Sequence, residues 1–558
     1  MKNKDTSFLP RRFWLVLALL AIVVCALVAR MVFLTVFDRS FLLHQGNARS
    51  LRIVNIPAYR GMIADRNDEP LAISTLVDSI WINPQDFPNT KQNVEGLSRL
   101  LNIPSRKINK LIKRNAKREF AYLKRSVNPE LAQSVQQLAI PGVYLKREYK
   151  RYYPEGEVAS HVVGFTNIDD QGQEGLELAY NNWLRGSLGK QKVLKDRYGH
   201  IVAVLADISA AKAGRNLTLS IDSRIQYLAY QTLKMTVQKY HAKSGSVVVL
   251  NPKTGEILAM VNQPSFNPNK RPTHDYGQFR NRAVTDIFEP GSTAKAFSVA
   301  SALDSGKYTP DTIIDTNPGR LKLGKNIVHD DKWENNGKLT VTKVLQKSSN
   351  IGVAKMTLSL PPEHLLDLLS RVGFGQRTGS GFPGESSGSL IYHDKWRPFV
   401  LATLAFGYGI SMTSLQLAHA YGVIAYNGLK CPVTFLERGK PVKCTQAINS
   451  KTAQQMLAML ETVVQGGTGL QAKVKGYRVA GKTGTANVVG KYGYSKHRNV
   501  TSFVGIAPVS DPQLVVAVVV REPKYKFPYG GVVAAPAFAT IMRGTLRILD
   551  IAPDDVNN

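Results

Sequence analysis

The spacing of apolar positions changes several times along the chain, and each change marks a different element. The first run, FWLVLALLAIVVCALVARMVFLTV from Phe13 to Val36, is apolar throughout, with Arg30 its only charge. As a helix it would extend about 36 Å, enough to cross a hydrocarbon core of roughly 30 Å. Arg30 lies nearer the far end, where its long side chain can snorkel to the headgroups. Lys2, Lys4, Arg11 and Arg12 precede the run against Asp5 alone. That imbalance keeps the N-terminus in the cytoplasm and exports the rest. A cleaved signal peptide would have a shorter apolar core and a small-x-small cleavage site. This run is long and ends in Phe37-Asp38-Arg39, and Val24 before Cys25 is too large for a lipid-attachment pattern. The expectation is an uncleaved anchor over 13–36 behind a cytoplasmic tail, 1–12.

Mixed patterning follows over 41–211. Extended stretches such as SLRIVNIPAYRGMI alternate with two or three helices, punctuated by Pro57, Pro84, Pro88, Pro104, Pro129 and Pro141. A new unit opens at Leu217, where a β-rich run to Ile221 meets Asp222 and Ser223 as N-cap candidates. A helix follows with Ile225, Leu228 and Leu233 on its apolar face. SGSVVVLNPKTGEILAMVN then reads as two strands around a Pro-Lys-Thr-Gly-Glu turn. Near the other end, VAGKTGTA, TSFVGIAPV and QLVVAVVV read as strands. LVVAVVV is too short for a second span and is β-branched, so it is a buried strand. Strands at both ends with helices between predict one large α+β domain over 217–551, its sheet joining sequence-distant strands, and a short tail over 552–558.

Composition narrows the function. The chain has 558 residues, 44% of them apolar and 20% charged, which suits several packed cores and no long disordered tract. Net charge is +31, from 72 Lys and Arg against 41 Asp and Glu. An exported domain rarely meets nucleic acid, so anionic headgroups, phosphate-bearing lipid precursors or acidic wall polymers suit this charge better. The stretch Pro104–Arg151 holds 13 basic and 3 acidic residues. Ile108, Leu111 and Ile112 recur there at helical spacing, which favours a helix with a solvated basic face over a specific binding site. The 10 His are scattered and no Cys/His/Asp spacing fits a metal site, so no metal and no cofactor is expected. No phosphate-binding glycine motif occurs. Of the three Cys, Cys431 and Cys444 lie on the exported side, flanking PVTFLERGKPVK. That stretch reads as two short strands around a turn at Glu437-Arg438-Gly439-Lys440. A disulfide and two free thiols both remain open there.

The candidate chemistry begins at FEPGSTAKAF. Pro290-Gly291 makes a sharp entry, and the helix is expected to begin near Ser292. A hydroxyl at a helix N-terminus meets free backbone N–H groups and the positive end of the dipole, both favourable to an oxyanion. Lys295, three positions on, lies on the same face, and a desolvated Lys near other cations can serve as base. Alone, S-x-x-K is equally a capped helix start with a solvated Lys. Two more elements follow in order. LQKSSNIG carries Ser348 and Asn350 after a helical segment, and VAGKTGTA carries Lys482, Thr483, Gly484 and Thr485 on a strand. Ser348 can relay a proton from Lys295 to a leaving amine, and the Asn350 amide can hold a substrate peptide bond. Lys482 adds positive potential, and the hydroxyls of Thr483 and Thr485 can bind a carboxylate. Gly484 leaves the strand edge open to substrate. Lys253-Thr254-Gly255 is also K-T-G, but it precedes Ser292 and sits in a turn, so it receives no role.

With that ordered trio, the sequence resembles the penicillin-binding proteins, whose S-x-x-K, S-x-N and K-T-G set marks active-serine transpeptidases and β-lactamases. RGMIADRNDEPLA (Arg60–Ala72) and RYYPEGEVASHVVGFTNIDDQGQEGLE (Arg151–Glu177) are similar to the two signatures of the class B non-catalytic pedestal, also called the dimerisation domain. RNRAVTDIFEPGST, VLQKSSNIGVAK and FGYGISMTSLQLA resemble the division-specific branch, and Tyr408 between glycines separates it from the elongation-specific one. Ala296 and Ser414 stand where the family usually has Pro. The resemblance implies an elongated mixed pedestal followed by a penicillin-binding transpeptidase domain with a five-stranded antiparallel sheet flanked by helices. It implies D,D-transpeptidation of peptidoglycan stem peptides through an acyl-enzyme on Ser292, with the N–H groups of Ser292 and Thr485 as oxyanion hole. β-Lactams would acylate the same serine. It further implies a membrane-embedded glycan polymerase and other division-site proteins as partners, no nucleic acid, and a single-pass inner-membrane protein with a periplasmic catalytic domain at the septum.

Four rivals remain. A β-lactamase or D,D-carboxypeptidase shares the chemistry, but no E-x-x-L-N type segment lies between the S-x-N and K-T-G elements to position a deacylating water. A β-lactam sensor or inactive scaffold would normally carry a signalling domain or a decayed catalytic set, and an elongation-type transpeptidase would show another residue at Tyr408. A basic wall-binding module would explain 104–151 but not the trio.

Overall fold

The computed structural model describes residues 10–196, 201–272, 274, 276–331, 334–440, 442–490, 493–525 and 527–555. Lys2, Lys4 and Asp5, most of the expected tail 1–12 and the end of the tail 552–558 lie outside them. The apolar run forms a helix, Pro10–Val32, which continues through a π-helical turn, Phe33–Phe37; from Arg11 on its side chains are exposed, with Leu34 half-buried. It is long and apolar enough to cross a membrane.

The chain forms two compact units. One comprises Met1–Tyr59, Leu76–Glu148 and Gly186–Ala213; the other comprises Arg60–Thr75, Tyr149–Arg185 and Gly214–Asn558. In the first, three helices (Lys91–Leu101, Ser105–Arg114 and Pro129–Gln137) bury Val94, Leu97, Leu101, Ile108, Ile112, Ala132 and Val135. They share one core with Ile80, Ile82, Ala121 and Leu123. Within the basic stretch only Ser105–Arg114 is the helix that the spacing predicts, with Ile108 and Ile112 buried and its Lys and Arg outside. The later basic residues lie beyond that helix, among them on strands Ala121–Val127 and Val143–Tyr152, where Arg151 is buried. Strands Leu51–Ile56, Gly189–Lys195 and Ile201–Ser209 of this unit form an antiparallel sheet.

In the larger unit the two pedestal signatures have a structural cause. Arg60 and Arg151 grip opposite oxygens of Glu177: Arg60 Nε donates to Oε2 at 2.7 Å, and Arg151 Nε donates to Oε1 at 2.6 Å. The three side chains are almost wholly buried. Arg60 also donates to the carbonyls of Glu177 and Asp170 and to Asn181 Oδ1. Buried charge is tolerated only when paired and hydrogen-bonded, so none of these residues can change alone. Asp65, from the same signature, accepts from Asn67, Glu69 and Ser223 backbone N–H groups and so fastens the start of the next helix.

That helix is α1 (Ser223–Lys239), capped by Asp222, which accepts from the Arg224 N–H at 3.0 Å. Strands β1 (Ser244–Leu250) and β2 (Ile257–Gln263) follow as an antiparallel hairpin. The later strands are β3 (Ala480–Gly490), β4 (Gly493–Ala507) and β5 (Leu514–Arg521). The sheet order is β2-β1-β5-β4-β3, antiparallel throughout, so the first hairpin meets the last strand and β3 is an edge. Alternate residues serve two cores. Val247, Val249, Val516, Val518 and Phe503 pack on α1 and on a C-terminal helix, Gly530–Ile548. Val248, Leu250, Val515, Ala517 and Val504 face the helices on the other side. Burial on both faces is why these strands read as unbroken Val runs.

Among the described residues of 431–444 the expected hairpin does not form. The paired strands are Leu429–Lys430 and Thr445–Gln446, outside the two cysteines. The backbone between them instead bridges from Thr434 to Glu256 and from Leu436 to Leu219. Local turn residues mimic a hairpin, but these partners are distant in sequence. Cys431 and Cys444 form a disulfide, with Cα atoms 4.3 Å apart.

Candidate active site

The site is built where one helix start, one inter-helix turn and one edge strand meet. Ser292 sits in a single 3₁₀ turn, Gly291–Ala294, and the α-helix α2 (Lys295–Asp304) begins only at Lys295, later than the sequence predicts. The turn is tied down on several sides. Gly291 adopts φ +52° and donates its N–H to Gly407 O at 3.2 Å. A Cβ at Gly291 would lie 2.8 Å from Thr485 O, so only glycine lets the turn approach β3 this closely. Thr293 Oγ1 donates to Pro290 O, and Tyr421 OH donates to Thr293 O, each at 2.8 Å. Ser292 itself remains half-buried, accessible at the end of a fixed turn.

Lys295 is 1% exposed. Its Nζ donates to Ser348 O at 2.5 Å and to Ser348 Oγ at 3.1 Å. Ser348 closes helix α3 (Val341–Lys347) in the left-handed region, φ +60°. That conformation is unfavourable for a residue with a Cβ and persists only where its surroundings hold it. Ser349 then caps helix α4 (Asn350–Leu358), accepting from Gly352 N–H at 3.0 Å. Asn350, the first residue of α4, donates Nδ2–H to His329 O at 2.9 Å. Its amide is thereby oriented, with its oxygen and second N–H left for other partners.

Lys482 reaches the same serine from β3. Its Nζ donates to Ser348 Oγ at 3.0 Å and to Thr483 O at 3.3 Å, and its side chain is fully buried. Two ammonium-bearing side chains thus meet one hydroxyl. Burial pushes Lys295 down to about 8, opposed by the charges of Asp331 and Asp330. Burial also pushes Lys482 well below the usual lysine range, helped by the like charge of Lys295 and opposed by Asp331. The pair can hold one neutral amine beside one ammonium near neutral pH, which suits a base and an electrostatic partner joined by a hydroxyl relay.

The remaining residues of the strand motif have different surroundings. Thr483 Oγ1 is 2.9 Å from Thr468 Oγ1, and Thr485 Oγ1 accepts from Gly530 N–H at 3.1 Å. At Gly484 a Cβ would meet Ser502 Oγ and come within 2.9 Å of Pro290 O and Thr293 Cγ2. Glycine is needed there because the strand packs onto the nucleophile turn, which corrects the expectation of room for substrate. Lys253 of the earlier K-T-G pairs with Asp511 at 2.6 Å in its turn. Two residues escaped the sequence reading. Thr468 lies in a plain Gly-Gly-Thr-Gly stretch. Asp330 stands beside a second acid in a basic chain, which was the only signal.

A serine hydroxyl accessible on a rigid turn, two buried lysines that meet one hydroxyl, and an edge strand beside them are parts that acyl transfer can use. Known proteins agree with that chemistry. Residues 245–543 match the family model described as penicillin binding protein transpeptidase domain, and residues 55–219 match the penicillin-binding protein dimerisation domain. The chain is 42% identical to a probable peptidoglycan D,D-transpeptidase PbpC of Pseudomonas aeruginosa, over 98% of this chain and 97% of that one. It is 39% identical to the peptidoglycan D,D-transpeptidase FtsI of Escherichia coli K12, over 99% and 94%. Among solved structures, penicillin binding protein 3 of Mycobacterium tuberculosis in complex with aztreonam superposes with a TM-score of 0.70. That match has 28% identity and covers 90% of this chain and 98% of that one.

Proposed function

The chain belongs to the penicillin-binding transpeptidase family, and from that premise we propose that it cross-links stem peptides of septal peptidoglycan through an acyl-enzyme on Ser292. The observation that carries this reading is the convergence of Lys295 and Lys482 on Ser348 Oγ beside the Ser292 turn. Neutral Lys295 takes the proton of Ser292 Oγ as the oxygen attacks the carbonyl between two D-alanines. The N–H groups of Ser292 and Thr485 receive the oxyanion. The proton passes from Lys295 through Ser348 to the leaving D-alanine amine. An amine from a second stem then attacks the ester, its proton returns along the same path, and Ser292 is restored. Lys482 supplies positive potential, Asn350 holds a substrate peptide bond, and Thr483 and Thr485 receive the terminal carboxylate. Gly484 keeps the strand against the turn. A β-lactam enters the same path and stays, because its acyl-enzyme blocks the acceptor.

The same proposal includes the pedestal at 41–211, the transpeptidase domain at 217–551, and tails at 1–12 and 552–558. It takes the apolar helix as a single inner-membrane span with the N-terminus in the cytoplasm and the catalytic domain in the periplasm at the septum. The partners are a membrane-embedded glycan polymerase and other division-site proteins. The test is complementation of cells depleted of the native protein. Wild type restores division and Ser292→Ala leaves filaments. Rounded cells would move the protein to elongation, and normal division with Ser292→Ala would refute the enzymatic reading.

A further inference from the structure

The Ser348–Asn350 turn rests on a hairpin that nothing above gives a part in the chemistry. Strands Arg320–Leu323 and Asn326–His329 pair antiparallel, and the chain then brings His329 and Asp330 against the turn. Asp330 is 2% exposed. Its Oδ1 accepts from Ile351 N–H and from Ser349 Oγ, each at 3.0 Å, and its Oδ2 accepts from Ser349 Oγ at 2.8 Å and Asn336 Nδ2 at 2.9 Å. His329 O takes the Asn350 amide. Three consecutive residues after Ser348 are therefore bonded to two consecutive residues of the hairpin.

Two features set Asp330 apart from an ordinary loop staple. Among the described residues all these donors are neutral and no cation is bonded to the buried carboxylate, an arrangement that is costly without a pairing charge. The charge is also felt by Lys295, where Asp330 and Asp331 oppose the effect of burial. Among the described residues Lys482 also faces Lys295, across Ser348 Oγ. A left-handed serine whose hydroxyl must meet two lysines needs its turn fixed to a fraction of an ångström.

We propose that Asp330 is a positioning residue of the transfer reaction: its carboxylate pins the Ser348–Asn350 turn so that Ser348 Oγ stays between Lys295 and Lys482. The same negative charge also acts on the Lys295 amine. The proposal rests on the acyl-transfer reading above. It acts through Ser348 and the lysines and touches no substrate.

The test is the acylation rate of the full-length protein in detergent by a fluorescent penicillin, from about pH 5.5 to 9.5. Asp330→Asn is expected to lower the plateau rate about 10- to 100-fold, with the label still on Ser292 and the melting temperature nearly kept. The limb where the rate rises with pH should move to lower pH, because a charge that favours the Lys295 ammonium has gone. Asp330→Glu should return the limb but not the plateau, since its longer arm displaces the turn. A wild-type plateau in Asp330→Asn, or a lowered plateau with an unmoved limb, overturns the proposal. If Asp330→Asn does not fold, Ser349→Ala is read instead. It keeps the carboxylate and removes the donor that bridges both oxygens. A plateau at least about tenfold lower with the limb in place supports the proposal, and a wild-type plateau overturns it. Wild-type protein that takes no label at Ser292 would overturn the acyl-transfer reading instead.

Discussion

The state of Lys295 makes a quantitative prediction. An ordinary lysine amine has a pKa near 10.5, and burial against the Ser348 turn brings Lys295 to about 8. The neutral fraction at pH 7 is then roughly 300-fold larger than for a solvated lysine, or about 3.4 kcal/mol at 1.36 kcal/mol per unit. If the neutral amine is the base, acylation should climb about tenfold between pH 6 and 7 and about fivefold between pH 7 and 8, then flatten. The assay is the second-order rate of labelling by a fluorescent penicillin at fixed ionic strength, with the melting temperature followed in parallel. Lys295→Gln should remove the limb and lower the rate by about 100-fold or more. A rate that is flat from pH 6 to 8 in wild type would refute the assignment of Lys295 as base. A rate still rising tenfold per unit beyond pH 9 would refute the burial argument, because the amine would be titrating as if in water.

Other consequences follow from the packing. Glu177→Gln leaves two buried guanidinium groups uncompensated and should cost about 3–5 kcal/mol, read as a large fall in melting temperature. Replacing Cys431 and Cys444 together by Ser opens the loop they close and should lower stability by up to about 3 kcal/mol. Labelling of Ser292 should be unaffected, since among the described residues the polar contacts of the two cysteines run to His419, Lys253 and Val442 and not to Ser292, Lys295, Ser348 or Lys482. Gly484→Ala should slow acylation about 10- to 100-fold with the fold retained, because the new Cβ pushes β3 away from Pro290 and Thr293.

What could be read in advance depended on how local its cause was. The strand pairs β1–β2 and β4–β5 were legible because continuous β-branched runs report burial on both faces. The helix at 105–114 was legible because Ile108 and Ile112 recur one turn apart. Ser292, Lys295, Ser348, Asn350 and Lys482 stand out in the sequence as an ordered set, and the fold brings Lys295 and Lys482 to Ser348 although 53 residues separate Lys295 from Ser348 and 134 separate Lys482 from it. The 431–444 hairpin failed because Glu437-Arg438-Gly439-Lys440 has turn chemistry, while the true partners of that backbone, Leu219 and Glu256, are far away in sequence. Whether the two cysteines were joined depended on that same non-local path. Gly484 was assigned to substrate because sequence shows that a side chain is missing but not what fills its place. Asp330 had only its place beside a second acid to mark it: it meets Ser349 and Ile351, 19 and 21 residues on, through a hairpin end with no periodic signal of its own.

The central claim is that Ser292 forms the acyl-enzyme. The most direct measurement is intact-mass and peptide mapping of the full-length protein after reaction with a penicillin, wild type beside Ser292→Ala. The account predicts one stoichiometric, long-lived adduct on the peptide containing Ser292, absent from the variant. An adduct on another residue, or none at all, would contradict it, and one lost within seconds would make the protein a hydrolase of β-lactams instead.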